Sequence, residues 1–158
     1  CEITPHDKPE PLQLKFYASF NKIAITVDFK QLDQKVINYA ITQGGKDCTY
    51  TLIHVVESVA SASHLQDSTD EETVKDREFL DEYVKQLQQQ GYHAEAKLGF
   101  GKTADSIGEI VNKSGAELIV MGAHGHKGLK DLLYGATINQ VRHLVKIPVL
   151  VIPAIKDN

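Results

Sequence analysis

A regular alternation of short β-branched runs with longer segments of helical apolar spacing constrains this chain more than any other feature. From Lys22 the residues Ile23, Ala24, Ile25, Thr26 and Val27 form a run that ends at Asp28 and predict a first strand. Val36, Ile37, Ala40 and Ile41 then recur at helical spacing until Gly44 and Gly45, which end a helix at little cost. Thr49 to Val56 predicts a second strand, and Leu80, Tyr83, Val84 and Leu87 mark a second helical face closed by Gly91. His93 to Phe100 predicts a third strand, followed by Thr103 as the N-cap of a helix bearing Ala104, Ile107 and Val111, with Gly115 as its stop. Ala116 to Met121 is the fourth strand. Ile138, Val141, Leu144 and Val145 form the last helical face, and Val149 to Ile152, after Pro148, the fifth strand.

Strands that alternate with helices require crossover connections, which are right-handed and place helices on both faces of a parallel sheet. The expected fold class is therefore α/β: a single domain with a five-stranded, parallel, doubly wound sheet. A chain of 158 residues suits one such domain. Three of the five prolines (Pro5, Pro9, Pro11) fall among polar residues at the start, so residues 1–20 are expected to be a linker or tether and 21–158 the domain. The chain opens on Cys1 and its single methionine is Met121, so further sequence is expected to precede it.

With 21 acidic against 17 basic residues the net charge is −4, which offers no general attraction to nucleic acid or to an anionic membrane. Two cysteines, Cys1 and Cys48, make neither a disulfide framework nor a metal-binding pair of CxxC type, and a cytoplasmic setting is expected. No apolar run reaches the roughly 20 residues that span a bilayer.

In an open parallel sheet, ligands gather beyond the carboxyl ends of the strands where strand order reverses. Two segments bear on that position. Asp28, after the first strand, can accept hydrogen bonds from a base or a sugar, although an aspartate there also caps helices and fills turns. After the fourth strand, the stretch from Met121 to Thr137 carries glycines that permit close approach, and Gly135, Ala136 and Thr137 are expected to open the last helix with its dipole facing the loop. This outlines a phosphate cradle, but it is not a P-loop or a GxGxxG fingerprint, and a plain turn has the same composition. His124 and His126 could ligate a metal, but no acidic or thiol partner stands nearby before Asp131.

The spacing Gly122-x2-Gly125-x9-Gly135 after an apolar strand, with the ending Ile147-Pro-Val-Leu-Val-Ile152, resembles the universal stress protein family. The resemblance covers about residues 21–153 and extends to Asp28-Phe29 and to the Leu-Ile-His-Val-Val strand at 52–56. It implies the strand order 3-2-1-4-5 and an adenine-nucleotide-binding domain of regulatory or stress-response character, not an enzyme. ATP or AMP is implied as ligand, with Mg2+ or Mn2+ held only through the phosphates. Val27, Asp28 and Val55 would hold adenine and ribose. Met121, Gly122, His124 and Gly125 would lie along ribose and phosphates, and Gly135, Ala136 and Thr137 would face the phosphates. A homodimer through Val149 to Ile152 is implied, as is a setting in which such a domain is the cytosolic tail of a transporter.

One departure stands out: ATP-binding relatives usually carry Ser or Thr directly after the last motif glycine, where this chain has Ala136, with a hydroxyl one place later at Thr137. A lost hydrogen bond to a charged group would weaken ATP by roughly tenfold without removing the backbone donors. Two other readings stay open: a slow ATPase or nucleotidyl-transfer enzyme on the same fold, and a dimerisation module with an empty site.

Overall fold

The structure is a computed structural model that describes residues 8–15, 19–57, 71–123 and 129–154, with only the backbone path given for 129–134. Residues 8–15 carry no regular structure and are exposed. The described residues then form β1 (Lys22–Thr26), α1 (Leu32–Gly44), β2 (Thr49–Val56), α2 (Glu71–Gln89), β3 (His93–Phe100), α3 (Thr103–Ser114), β4 (Leu118–Gly122), α4 (Leu129–Leu144) and β5 (Val149–Ile152). The five strands make one parallel sheet in the order β3-β2-β1-β4-β5, as the resemblance implied.

The two faces follow from the period-two alternation of strands. Along β1, Ile23, Ile25 and the following Val27 pack with Val36 and Ala40 of α1 and Leu80 and Leu87 of α2. Ala24 points the other way, into a second cluster with Ile107 and Val111 of α3, Val141 and Val145 of α4, and Ile119 and Met121 of β4. Burying each large aliphatic side chain contributes roughly 1.5–3 kcal/mol, which explains why the central strand is apolar on both sides. The helices α1 and α2 thus cover one face, and α3 and α4 the other.

Element ends differ slightly from expectation. Helix α1 runs through Gly44, and Gly45, at φ 66°, is the residue that turns the chain, its N–H donating to Ile41 O at 2.8 Å. Thr103 is not an N-cap: Lys102 occupies that position without a side-chain cap, and Thr103 is the first helical residue. Its Oγ1 is buried without a hydrogen-bond partner. The last helix departs most. It begins at Leu129, so Gly135, Ala136 and Thr137 do not open it but lie beyond its first turn. Leucine, lysine and alanine are good helix formers, and they carry the helix across Gly135.

Candidate functional site

The order of strands puts β1 beside both β2 and β4, with Thr26 level with Ile53 and Ile25 level with Val120. Helix α1, which follows β1, covers one face and α4, which follows β4, the other, the arrangement that in open parallel sheets leaves a crevice above the two strand ends. Val27, Asp28, Val55, Met121 and Gly122 all reach this edge of the sheet.

The corner between β1 and α1 is held by a dense set of bonds. Asp33, in the first turn of α1 and 3% exposed, accepts from Asp28 N at 3.1 Å through Oδ1. Its Oδ2 accepts from Phe29 N at 2.6 Å and from Tyr83 Oη at 2.9 Å. Asp28 Oδ1 in turn accepts from Lys30 N at 3.2 Å, closing a tight turn. Phe29 sits at φ 65°, a left-handed conformation that costs a bulky residue about 1–2 kcal/mol. Its ring lies 4.3 Å from His54, 5.4 Å from Phe79 and 5.8 Å from Tyr83, centroid to centroid. Those ring contacts and its bond to Asp33, with that of Asp28 beside it, hold the strained residue in place.

His54 ties the corner to β2 and α2: its Nδ1 donates to Val27 O at 2.8 Å, and its Nε2 lies 3.1 Å from Asp76 Oδ2. Burial, reinforced by the neighbouring Asp28 charge, pushes the Asp33 carboxyl up to about 6 despite its hydrogen bonds. Burial, with Asp33 next to it, pushes the Tyr83 phenol upward as well.

Not every expected contact is available as a side chain. Val27 and Met121 are 5% and 1% exposed, and both side chains belong to the core, so only their backbones border the crevice. Gly122 has a packing reason of its own, because a Cβ there would stand 2.8 Å from Leu32 Cδ2 and 3.0 Å from Val36 Cγ2. Gly135 has none: a Cβ would meet nothing within 4 Å, and its neighbour Ala136 is exposed too. Beyond the first turn of α4, the N–H groups of Gly135, Ala136 and Thr137 belong to the helix ladder and not to an anion. His124 and Gly125 lie outside the described residues, as does His126 of the metal idea. Among the described residues no three His, Cys, Asp or Glu side chains gather as a metal site would require.

Asp33, Tyr83, Phe29 and His54 were not among the sequence-derived site residues. Phe29 and His54 fell within the segments that carry the family resemblance, and Asp33 left only the signal of an acidic residue five places after Asp28. Its role depends on Tyr83, 50 residues away, which no local pattern reveals.

The profile of the universal stress protein family matches residues 19–153, and the chain belongs to that family. A universal stress protein of Synechocystis sp. is 24% identical over 150 residues, covering 84% of this chain and 97% of that protein. Among solved structures, a universal stress protein in complex with cAMP superposes with a TM-score of 0.64 at 15% identity, covering 87% of this chain and all of that one. The universal stress protein of Archaeoglobus fulgidus in complex with dAMP gives 0.61 at 18% identity, over 85% and 98% of the two chains. At such identities the likeness is one of fold.

Proposed function

We propose that this chain binds an adenine nucleotide, ATP or AMP, in the crevice above the ends of β1 and β4, and serves as a regulatory or stress-response domain and not as a catalyst. The observation that carries the reading is the braced corner around Asp28. A left-handed phenylalanine and a buried carboxylate are costly to keep, and their joint effect is to fix the backbone of Asp28 at the switch point. Asp28 then receives the base or ribose, beside Val27 and the backbone of Val55. The phosphates run away from that acidic end, past Met121 and Gly122 toward His124 and Gly125. They meet the bare surface of α4 at Gly135 and Ala136, next to Thr137. Absence of a side chain, and not a free N–H, is what Gly135 contributes on this reading. Two relatives of the same fold were solved with cAMP and dAMP, which supports an adenosine monophosphate skeleton. A divalent cation, Mg2+ or Mn2+, would be held through the phosphates.

Calorimetric titration with ATP, AMP and cyclic dinucleotides, with and without Mg2+, tests the reading. Binding that disappears in Asp28→Ala supports it; no heat at millimolar nucleotide defeats it and favours a module with an empty site. Nucleotide consumed over many turnovers would instead mark an enzyme.

We further propose a homodimer through β5. This strand is at the sheet edge, pairs only with β4 among the described residues, and exposes 38% of Val151. Uncovered edges of apolar strands invite pairing. Light scattering at micromolar concentration should give twice the chain mass; a monomer would remove the proposal. Attachment to a transporter is a further proposal that the full-length gene decides.

A further inference from the structure

The two partners of His54 cannot both be satisfied by a neutral imidazole. Its Nδ1 lies 2.8 Å from Val27 O and its Nε2 3.1 Å from Asp76 Oδ2. A backbone carbonyl only accepts, and so does a carboxylate, whereas a neutral imidazole carries a single N–H. Two acceptors at hydrogen-bond distance therefore require one proton more than a neutral histidine and an ionised aspartate hold between them. With that proton, an imidazolium donates to both sides. Without it, one of the two oxygens faces a bare ring nitrogen. The side chains are only 13% and 16% exposed, so water does not readily replace the missing donor.

The two bonds join separate parts of the fold. Val27 follows β1 and immediately precedes Asp28, Asp76 lies near the start of α2, and His54 stands on β2. Around the pair, β3 brings Leu98 level with His54, and strand alternation turns its charged residues His93, Glu95 and Lys97 to the other face. The ring of Phe29 lies against His54 and also against Phe79 and Tyr83 of α2. Asp33 of α1, bonded to Tyr83 and to Phe29 N, and Asp28 are the carboxylates of the corner. On α2 itself Glu72 stands one turn before Asp76, with Lys75 and Arg77 on either side of it. Histidine is the side chain that ordinarily changes charge between pH 5 and 8. We infer that His54 and Asp76 form a proton-dependent latch: acidification closes both bonds and ties α2 to the corner that carries Asp28, and loss of the proton releases one of them. Ligand affinity at Asp28 then falls as pH rises. That last step rests on the nucleotide reading above; the latch itself does not. Asp33, whose carboxyl is pushed up to about 6, takes up a proton at the same corner, so a variant must separate the two.

Asp76→Asn separates them. An asparagine amide can donate to Nε2 while a neutral His54 donates through Nδ1 to Val27 O, so this variant forms both bonds without the extra proton. The test follows the ring-nitrogen NMR signals of His54, assigned through their proximity to the Phe29 ring, from pH 5 to 9 in wild type and Asp76→Asn. Urea unfolding and titration with adenosine accompany it at pH 5.5 and 8; adenosine is the probe because a phosphate monoester itself titrates near pH 6. Wild-type His54 should still carry both ring hydrogens at a pH where His54 of Asp76→Asn has lost one. The urea midpoint of wild type should fall further between pH 5.5 and 8 than that of Asp76→Asn. Adenosine should bind wild type roughly fivefold more weakly at the higher pH, and Asp76→Asn should lose less. Ring hydrogens lost at the same pH in both proteins, or equal falls of the two midpoints, overturn the latch. So does a folded wild type whose His54 holds a single ring hydrogen at pH 5, which needs no variant to establish. Adenosine affinity that shifts equally in both proteins removes the regulatory step and leaves the latch and the nucleotide reading standing. A wild type that binds neither adenosine nor AMP at either pH removes the nucleotide reading and the regulatory step with it, while the spectra and the unfolding still decide the latch.

Discussion

The two ends of the same sheet are built to different standards. At the amino end the polar groups are paired in ordinary ways. Glu117 Oε1 accepts from Asn21 N at 2.7 Å and Lys22 N at 3.2 Å, Lys22 Nζ reaches Ser114 O at 3.2 Å, and Tyr50 Oη donates to Gly45 O at 2.6 Å. At the carboxyl end of β1 stand a left-handed phenylalanine, a buried aspartate pushed up to about 6 and a buried hydroxyl without a partner, Thr26. Both ends belong to the same strands, so general packing does not account for the contrast. Strain and unpaired polarity gather where the fold has a switch point, and such concentrations mark functional ends of proteins.

The contrast can be broken most forcefully at Asp33. Asp33→Ala would leave two backbone donors and the Tyr83 hydroxyl without their acceptor, and urea unfolding should show a loss of about 2–4 kcal/mol. An unchanged midpoint would mean that the corner is not braced through this carboxylate. Next in size is Gly122→Ala. Its Cβ would press on Leu32 and Val36, so a cost of about 1–3 kcal/mol is expected in the same assay.

The acidity of Asp33 sharpens the comparison further. Its pKa in the folded protein lies above the ordinary value of 3.8, so the folded state holds this proton more tightly than the unfolded chain. Its contribution to stability is therefore fully present below about 3.8 and is lost as pH rises through about 6. Unfolding free energies between pH 4 and 7 should decline on this account, and Asp33→Asn should flatten that part of the profile.

Smaller effects should separate the two ends in opposite senses. Gly135→Ala places a methyl group in open space within a helix, which should stabilise the fold by about 0.5–1 kcal/mol while hindering approach of a phosphate. A stabilised variant with undiminished ATP affinity would sever Gly135 from the site. At the amino end, Glu117→Ala should cost about 0.5–1 kcal/mol, since its bonds are exposed, and should leave nucleotide affinity as it was.

The order and nature of the elements were legible in the sequence because burial repeats at local periods. Ile23 to Val27 read as a strand, and Val36 to Ile41 as a helical face, since each residue's neighbours within a few positions carry the pattern. The family spacing made the strand order legible as well. Asp28 and Gly122 were correctly placed at one edge of the sheet, but the start of the last helix was not. Gly135 looked like a beginning because glycine-bearing segments often lie outside helices, whereas the favourable residues ahead of it extend α4 back to Leu129.

What the sequence by itself determined is the alternation of strands and helices, the parallel sheet and which residues stand at the carboxyl ends of its strands. Only the tertiary structure decided how those ends are held. Asp33 meets Tyr83 across 50 residues, His54 meets Asp76 across 22, and Phe29 takes its left-handed turn because these partners surround it. Whether Thr26 has a partner, or Gly122 a steric reason to be glycine, depends on which side chains the fold brings against them. Periodicity records which face of an element is buried; hydrogen bonds and van der Waals contacts depend on positions in space, which exist only once the chain has folded.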